Sequence, residues 1–435
     1  MNFRSSRRKF LKQATWAAAG AWLAGSSRFA HAAPKVRLIA ASDKLNIGVI
    51  GTANRAAANI KGVEGENIVA ICDVDENLLD AAAQRFPNAK KFTDFRKLID
   101  QKGIDAIVVS TPDHTHAFAT ALALRAGRHV YCEKPLTHTV SEARMIARLA
   151  DDLKLATQMG NQIHASNNYR RVVELVQSNV IGPIREVHVW VGTVWEPMAR
   201  PIEIVPVPAY LNYDVWLGPA QYRPYHPEYL PKNWRRWWSF GGGTMADFGC
   251  HYMDLPHWAL NLRYPITVEA EGPAAHPECA PPWMIAHFDY PSRDAQPPVR
   301  LTWYQGGKRP PHFEQGQLPK WGNGVLFVGQ HGMLLADYNK HVLLPEKTFA
   351  DFKAPEPFIP DSIGHHAEWI LACKTGTATT CNFDYTAALT ETVLLGNVAH
   401  RASQKIEWDA DKLKAVNCPA ADEFIQHDYR SGWRL

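Results

Sequence analysis

Three side chains in this sequence have the types and spacing for proton transfer and charge stabilisation. Lys134 ends the apolar run His129-Val-Tyr-Cys-Glu-Lys-Pro135. Pro135 denies that run a further backbone donor and restricts Lys134 to extended geometry. Asp247 and His251 close the stretch Trp234-Arg-Arg-Trp-Trp-Ser-Phe-Gly-Gly-Gly-Thr-Met-Ala-Asp-Phe-Gly-Cys-His251. There a glycine turn feeds a helix, and i, i+4 spacing projects both side chains from one face. A carboxylate beside an imidazole can set its tautomer and tune its pKa, as a base near neutral pH requires. Singly, each has a plainer reading: a solvated lysine after a strand, and a helical pair sharing a structural hydrogen bond. Asp254 and His257 continue the same helix as weaker candidates.

The elements before Lys134 give it a setting. Leu45-Asn-Ile-Gly-Val-Ile-Gly51 reads as a strand, followed by the turn Thr52-Ala-Asn-Arg-Ala56 and a helix to Val63. Against Gly-x-Gly-x-x-Gly the turn gives Gly51-x-Ala53-x-x-Ala56, with a methyl where backbone usually approaches a pyrophosphate. A second strand ends at Asp73, about twenty residues beyond Gly51, where a carboxylate accepts from ribose hydroxyls and repels a 2′-phosphate. Asp73 also suits an ordinary turn, but strand, glycine turn, helix, strand and acid in order favour NAD. Helices over 75–86, 94–101, 114–126 and 140–153 then alternate with strands over 105–110, 129–132 and 155–159. This rhythm predicts an α/β fold, a doubly wound parallel sheet of the Rossmann type over 44–162, with ligands at the carboxyl ends of its strands. The expected cofactor contacts are Gly51, Ala53, Asn54, Arg55, Asp73, Ser110, Thr111, Pro112, His116, Glu133, Lys134 and Asn161, while Asp113 suits a helix cap.

A Rossmann unit, then Ser110-Thr-Pro-Asp-His-Thr-His116, then Glu133-Lys134-Pro135, then Asp247 and His251 in a second domain resembles the Gfo/Idh/MocA oxidoreductases. These are the glucose-fructose oxidoreductase and inositol 2-dehydrogenase type. The resemblance covers essentially all of the chain beyond its first segment and departs from the pattern at Ala53. It implies that Lys134, Asp247 and His251 are catalytic, and that Asn161-Gln-Ile-His-Ala165 leads to the substrate side. It further implies NAD(H)-dependent oxidation of a secondary hydroxyl on a sugar or polyol, with the substrate oxygen held by Lys134, its proton taken by His251, and Asp247 orienting that imidazole. Two alternatives stay open. Some relatives cleave glycosides by transient oxidation and elimination; others are sensors without catalysis, which would lack the lysine or the Asp/His pair.

For 163–435 an α+β domain is expected, with strands over 184–191, 266–270, 284–290, 299–304, 324–328 and 333–337 forming a large, mainly antiparallel sheet. The resemblance implies helices on one face of that sheet and subunit pairing on the other, hence a homo-oligomer. Expected substrate contacts are Lys134, His164, Tyr169, Trp234, Arg235, Asp247 and His251. The cluster Trp234, Arg235, Arg236, Trp237 and Trp238 reads equally as sugar-stacking platform and as core or interface. The Gly/Pro-rich loop 305–323 is long enough to suspect a function. Helices over 364–374 and 384–402 are expected to return to the first domain, with His365 and His366 either structural or facing the site.

With 435 residues, 46% hydrophobic and 21% charged, the chain has core enough for two domains. Residues 1–32 differ in kind. Ser6-Arg7-Arg8-Lys9-Phe10-Leu11-Lys12, an apolar run over 14–24 and Ala30-His31-Ala32 read as a twin-arginine export signal cleaved after Ala32. The run is far below the ~20 residues that span a membrane, so no anchor is expected after cleavage, and 33–43 reads as linker. Of the 47 basic residues six leave with the signal, and of the 43 acids none, which takes the formal charge from +4 to −2. That argues against a nucleic-acid partner. Free NAD is not a periplasmic currency, so a tightly held, recycled cofactor is expected. The seven cysteines contain no Cys-x-x-Cys, which supports neither a metal framework nor a thiol redox motif. A Cys373–Cys381 bridge in an oxidising compartment stays open.

Overall fold

The computed structural model describes residues 40, 43–294 and 296–435. The export signal expected over 1–32, and most of the linker after it, lie outside the described residues. The first sheet is built from β1 (Asn46–Ile50), β2 (Asn67–Cys72), β3 (Lys90–Phe92), β4 (Ala106–Val109), β5 (His129–Glu133) and β6 (Thr157–Gly160). Their order is β3-β2-β1-β4-β5-β6, every pair parallel. The strand order reverses between β1 and β4, which opens the crevice where such sheets bind dinucleotides. Ala106, Ile107, Val108 and Val109 are all fully buried, as expected of a strand covered on both faces. Within the first sheet, β3 is the strand that the sequence pattern did not reveal. Its Lys-Lys-Phe is three residues at a sheet edge, too short and too polar to show a period.

Helices α1 (Arg55–Val63), α2 (Glu76–Arg85), α3 (Phe95–Ile99), α4 (Asp113–Arg125) and α5 (Val140–Leu153) connect the strands. Their starts follow from local chemistry. Asp75 accepts from Asn77 and Leu78 N–H, Asp94 accepts from Arg96 N–H, and Thr139 with Glu142 forms a capping box at α5.

The second domain has α6 (Asn167–Gln177), β7 (Ile184–Trp190), α7 (Tyr213–Leu217), α8 (Gly243–Ala259), β8 (Thr267–Glu271), β9 (Met284–Tyr290), β10 (Val299–Gln305), β11 (Gly324–Gly329), β12 (Met333–Ala336) and β13 (His341–Leu344). It ends in α9 (His365–Thr375), α10 (Phe383–Ala402), β14 (Ile406–Asp409), β15 (Lys414–Ala415) and α11 (Asp422–Ile425). The strands form one sheet ordered β13-β12-β11-β7-β10-β9-β8-β14-β15, antiparallel except for the central β7–β10 pair. Its inner face packs on α8 and α10. A Cβ at Gly396 of α10 would stand 3.1 Å from Phe288 of β9 and 3.2 Å from Met245 of α8, so glycine sets that close approach.

The loop 305–323 covers half of the outer face, with Leu318 joining Trp190, Leu326 and Leu335 in an apolar cluster and Phe313 standing edge-on to Trp190 at 5.1 Å. The other half is polar, with Arg300 paired to Asp289 at 2.7 Å. The last helices return to the first domain as the sequence suggests. Lys374 of α9 meets Glu66 at 2.8 Å, and Glu391 of α10 takes both its oxygens to Arg144 of α5 at 2.9 Å. Cys373 and Cys381 are both buried free thiols, so no bridge joins them.

Candidate active site

The crevice at the strand ends is a cleft of about 360 Å³. Its floor is the β1–α1 turn, where Gly51 has φ 86° and a Cβ would lie 2.4 Å from the Ser110 carbonyl oxygen. Only glycine fits there. Ala56 is fully buried against the sheet, and Ala53 lies on the cleft wall in the turn. No side chain caps α1, which leaves its N-terminus free for an anion. Asp73 at the end of β2 accepts from Thr52 N–H at 2.9 Å, Thr52 hydroxyl at 2.8 Å and Asp75 N–H at 3.1 Å. Burial nevertheless raises its pKa above the usual carboxylate value.

Of the residues expected to hold a cofactor, Gly51, Ala53, Asn54, Arg55, Asp73, Ser110, Thr111, Pro112, Glu133 and Lys134 all lie on this wall. Glu133 organises it, accepting from Arg55 at 2.9 Å, Asn59 at 2.9 Å and Gln162 at 3.1 Å. Asn59 also donates to Ser110 at 2.9 Å, which ties α1 to the ends of β4 and β5. In the sequence Asn59 is one polar residue within a helix, with no signal that it reaches another strand.

The second domain closes the cleft with Leu211, Val215, Trp216, Trp234 and Arg235. The first of these is stitched on by backbone: Glu76 N–H donates to the Tyr210 carbonyl at 2.9 Å, and Asn212 N–H to that of Val74 at 2.8 Å. No periodicity in the chain between β7 and α8 foretells this cover.

Lys134 and Asp247 meet at the cleft, 113 residues apart in sequence. The ammonium donates to the Asp247 carbonyl and to its Oδ1, both at 2.5 Å. Arg235 Nε lies 3.2 Å from the same oxygen, and Trp195 Nε1–H donates to Oδ2 at 2.8 Å. Burial alone would raise the Asp247 carboxyl, but Lys134, Arg235 and these hydrogen bonds hold it well below the usual range. Asp247 is therefore a fixed anion that clamps two cations. Trp195 sits in an irregular segment, where no motif or spacing singles it out.

One expectation changes here. Asp247 was expected to orient His251, but that partner is Asn161. Its amide nitrogen donates to the Cys250 carbonyl at 3.0 Å, which turns its oxygen to His251 Nδ1 at 2.5 Å. An oxygen in that place requires a proton on Nδ1 and leaves Nε2 as the free lone pair. Burial first, then the Lys134 cation, keep this imidazole neutral far below its ordinary pKa. The correction has a simple cause: Asp247 is drawn toward the cations at the cleft, while Asn161 leaves β6 directly beneath His251. Asn161 is fully buried and so belongs to His251 rather than to a cofactor.

Other expected contacts are also placed elsewhere. His116 is buried with ring nitrogens 2.8 Å from the Pro135 and Thr111 carbonyl oxygens, bracing the two strand ends from behind. His164 is buried under α8, held by both Asp254 oxygens at 3.0 Å and stacked on Trp258 at 4.1 Å. Tyr169 is fully buried, its hydroxyl donating to the His251 carbonyl at 3.2 Å. Both support α8 instead of meeting a substrate. Asp254 and His257 are likewise buried, and His365 bonds the Met159 carbonyl. His366 stacks on Tyr131 at 4.9 Å. Within the Trp/Arg cluster the roles divide. Trp237 and Trp238 are core, Trp234 turns its indole N–H to Pro231 and lends one face to the cleft, and Arg235 reaches Asp247.

Comparison with known proteins agrees with this architecture. Residues 45–161 match the family model of the Gfo/Idh/MocA NAD-binding Rossmann fold, and 167–295 match that of the family's C-terminal alpha/beta domain. An inositol 2-dehydrogenase of Salmonella typhimurium is 30% identical over 148 residues, 33% of this chain and 43% of that protein. A glycosyl hydrolase family 109 protein of Shewanella pealeana is 28% identical over 203 residues, 41% of this chain and 44% of that protein. The chain thus spans less than half the length of the curated relatives it matches. The WlbA dehydrogenase from Bordetella pertussis, solved with NADH and UDP-GlcNAcA, superposes with a TM-score of 0.61 at 17% identity, covering 85% of this chain and 100% of that one. With both family models matched in order, over 45–161 and 167–295, the chain belongs to the Gfo/Idh/MocA oxidoreductase family.

Proposed function

We propose that the protein is an NAD-dependent oxidoreductase acting on a secondary hydroxyl of a sugar or polyol. The observation that carries this is the meeting of Lys134 with Asp247 at the cleft, beside a His251 whose Nε2 lone pair is free. The cleft suits the cofactor: a glycine floor that a Cβ would fill, an uncapped helix N-terminus for the pyrophosphate, and Asp73 for a ribose. NAD, when bound, supplies the hydride acceptor. The chain's own residues do the rest. The Lys134 ammonium, with one donor beyond the two given to Asp247, holds the substrate oxygen and stabilises its developing negative charge. His251 Nε2 takes the hydroxyl proton, and Asn161 keeps that nitrogen unprotonated beforehand. Asp247 fixes the lysine.

The test is turnover by Lys134→Ala and His251→Ala proteins with bound NAD verified. A fall of roughly 10²–10⁴-fold in kcat is expected for each; near-wild-type rates in both would sink the assignment. The family 109 relative supports a second reading, glycoside cleavage by transient oxidation and elimination. Product analysis separates the two: a keto sugar or alditol supports the first, a released aglycone without net NADH the second.

Export by the twin-arginine route, a tightly retained cofactor, and self-association through the polar half of the outer sheet complete the proposal. Arg7 and Arg8 support the first. Replacing both by Lys should leave the protein in the cytoplasmic fraction. Mass spectrometry of nucleotide released from the exported protein, and its sedimentation, test the other two.

A further inference from the structure

The cleft wall carries an acid that the chemistry above does not use. Asp113 is the first residue of α4, directly after Thr111-Pro112, and is 5% exposed on the wall that Lys134 and Arg235 share. It does not cap the helix, as its sequence position suggests, because the cap position is Pro112 and no side-chain cap bond forms. Among the described residues only its own backbone N–H donates to it. Asp73 and Glu133 on the same wall, and Asp247 bonded to its Lys134, each have several donors. A nearly buried carboxyl with only that one donor has bonding capacity left over, which a group bound in the cleft would use.

The surroundings say which end of the cleft that ligand occupies. The charges acting on Asp113 come from Arg235, Asp247 and Lys134. Arg235 and Asp247 belong to the second domain and Lys134 is the residue proposed above to hold the substrate oxygen, whereas Asp73 is the acid proposed for a ribose. His114 and His116 of the same helix face backbone carbonyls instead, those of Trp216 and Phe240 and of Thr111 and Pro135. Burial pushes the Asp113 carboxyl up to about 8, so near neutral pH it both donates and accepts, as a hydroxyl does.

We infer that Asp113 is a specificity-determining residue that hydrogen-bonds the hydroxyl next to the one held by Lys134, so that the site reads a vicinal diol. This rests on the sugar or polyol reading above. The experiment titrates NADH-loaded protein, which cannot oxidise the ligand, with myo-inositol and D-glucose in a calorimeter. Wild type is compared with Asp113→Ala and Asp113→Asn, and NADH affinity is followed by its fluorescence. Asp113→Ala should weaken polyol binding about tenfold or more without changing NADH affinity, and Asp113→Asn, which keeps both donor and acceptor, should restore it to within about threefold. Loss of a buried acid bonded only to its own N–H should also leave Asp113→Ala folded, with Tm unchanged or raised. Equal polyol affinity in wild type and Asp113→Ala would overturn the inference and leave the oxidoreductase reading standing. Loss of NADH affinity alone would assign Asp113 to the cofactor and overturn it as well. A wild type that binds neither polyol counts against the substrate class itself, and the inference falls with it.

Discussion

At Asn161 the orientation of one amide decides which nitrogen of His251 can act. The Asn161 oxygen fixes the proton on Nδ1, so Nε2 is left as the acceptor. Asn161→Leu should lower kcat/KM by about 10- to 100-fold, because nothing then selects the tautomer. Asn161→Asp behaves differently. A carboxylate facing Nδ1–H stabilises the imidazolium, so the depressed pKa of His251 rises and the acid limb of the kcat/KM profile moves to higher pH. A limb that stays in place in Asn161→Asp would exclude the assignment. Lys134, Asp247 and His251 are candidates in the sequence because motif, spacing and the family resemblance single them out. Asn161 was legible as a residue at a strand end, but the direction of its side chain depends on where α8 lies.

At the scale of the element, α8 carries Asp247 and His251, and its start is set by Gly243. This residue has φ 64°, and a Cβ there would lie 2.2 Å from that of Ala280. The run Gly241-Gly242-Gly243 does read as a tight turn in the sequence, but the pressure from Ala280 belongs to the fold. Gly243→Ala combines an unfavourable backbone conformation with a close contact, and should cost about 1–3 kcal/mol. Denaturant unfolding checks this. If α8 shifts, Asp247 moves relative to Lys134 and kcat/KM falls beyond what lost stability explains. Most helices and strands could be read from their periods and caps. The cover from Leu211 to Arg235 could not, since its residues are held by backbone pairing and by burial against Val74 and Phe240 rather than by a repeating pattern.

Over the whole molecule, buried imidazoles and buried carboxyls pull acid stability in opposite directions. Burial lowers His114, His257, His366 and His427 to about 4. Between pH 6.5 and 4 the unfolded chain therefore binds protons that the folded chain does not, and stability falls as pH falls. Burial also raises Glu142 and Glu391 to about 7, and Asp113 to about 8. For these the folded chain is the one that holds the proton, and stability rises as pH falls from those values toward 4. His138, His188, His251 and His365 add to the first group, so the imidazoles prevail. The Tm of the protein should drop steeply from pH 6.5 to 4 in a scanning calorimeter; a flat or rising Tm would contradict this balance.

The sequence by itself determined the alternation of strand and helix, the glycine floor at Gly51, the acid at Asp73 and the candidacy of Lys134, Asp247 and His251. These are local properties, since a period, a turn or a motif needs only neighbouring residues. The tertiary structure alone decided that Asp247 clamps Lys134 and Arg235 while Asn161 serves His251. It also decided that His164 and Tyr169 are supports, and that Asp113 is left facing the cleft with only its own N–H as donor. Each of these depends on which polar atoms distant segments bring within about 3 Å, a distance that no local pattern encodes.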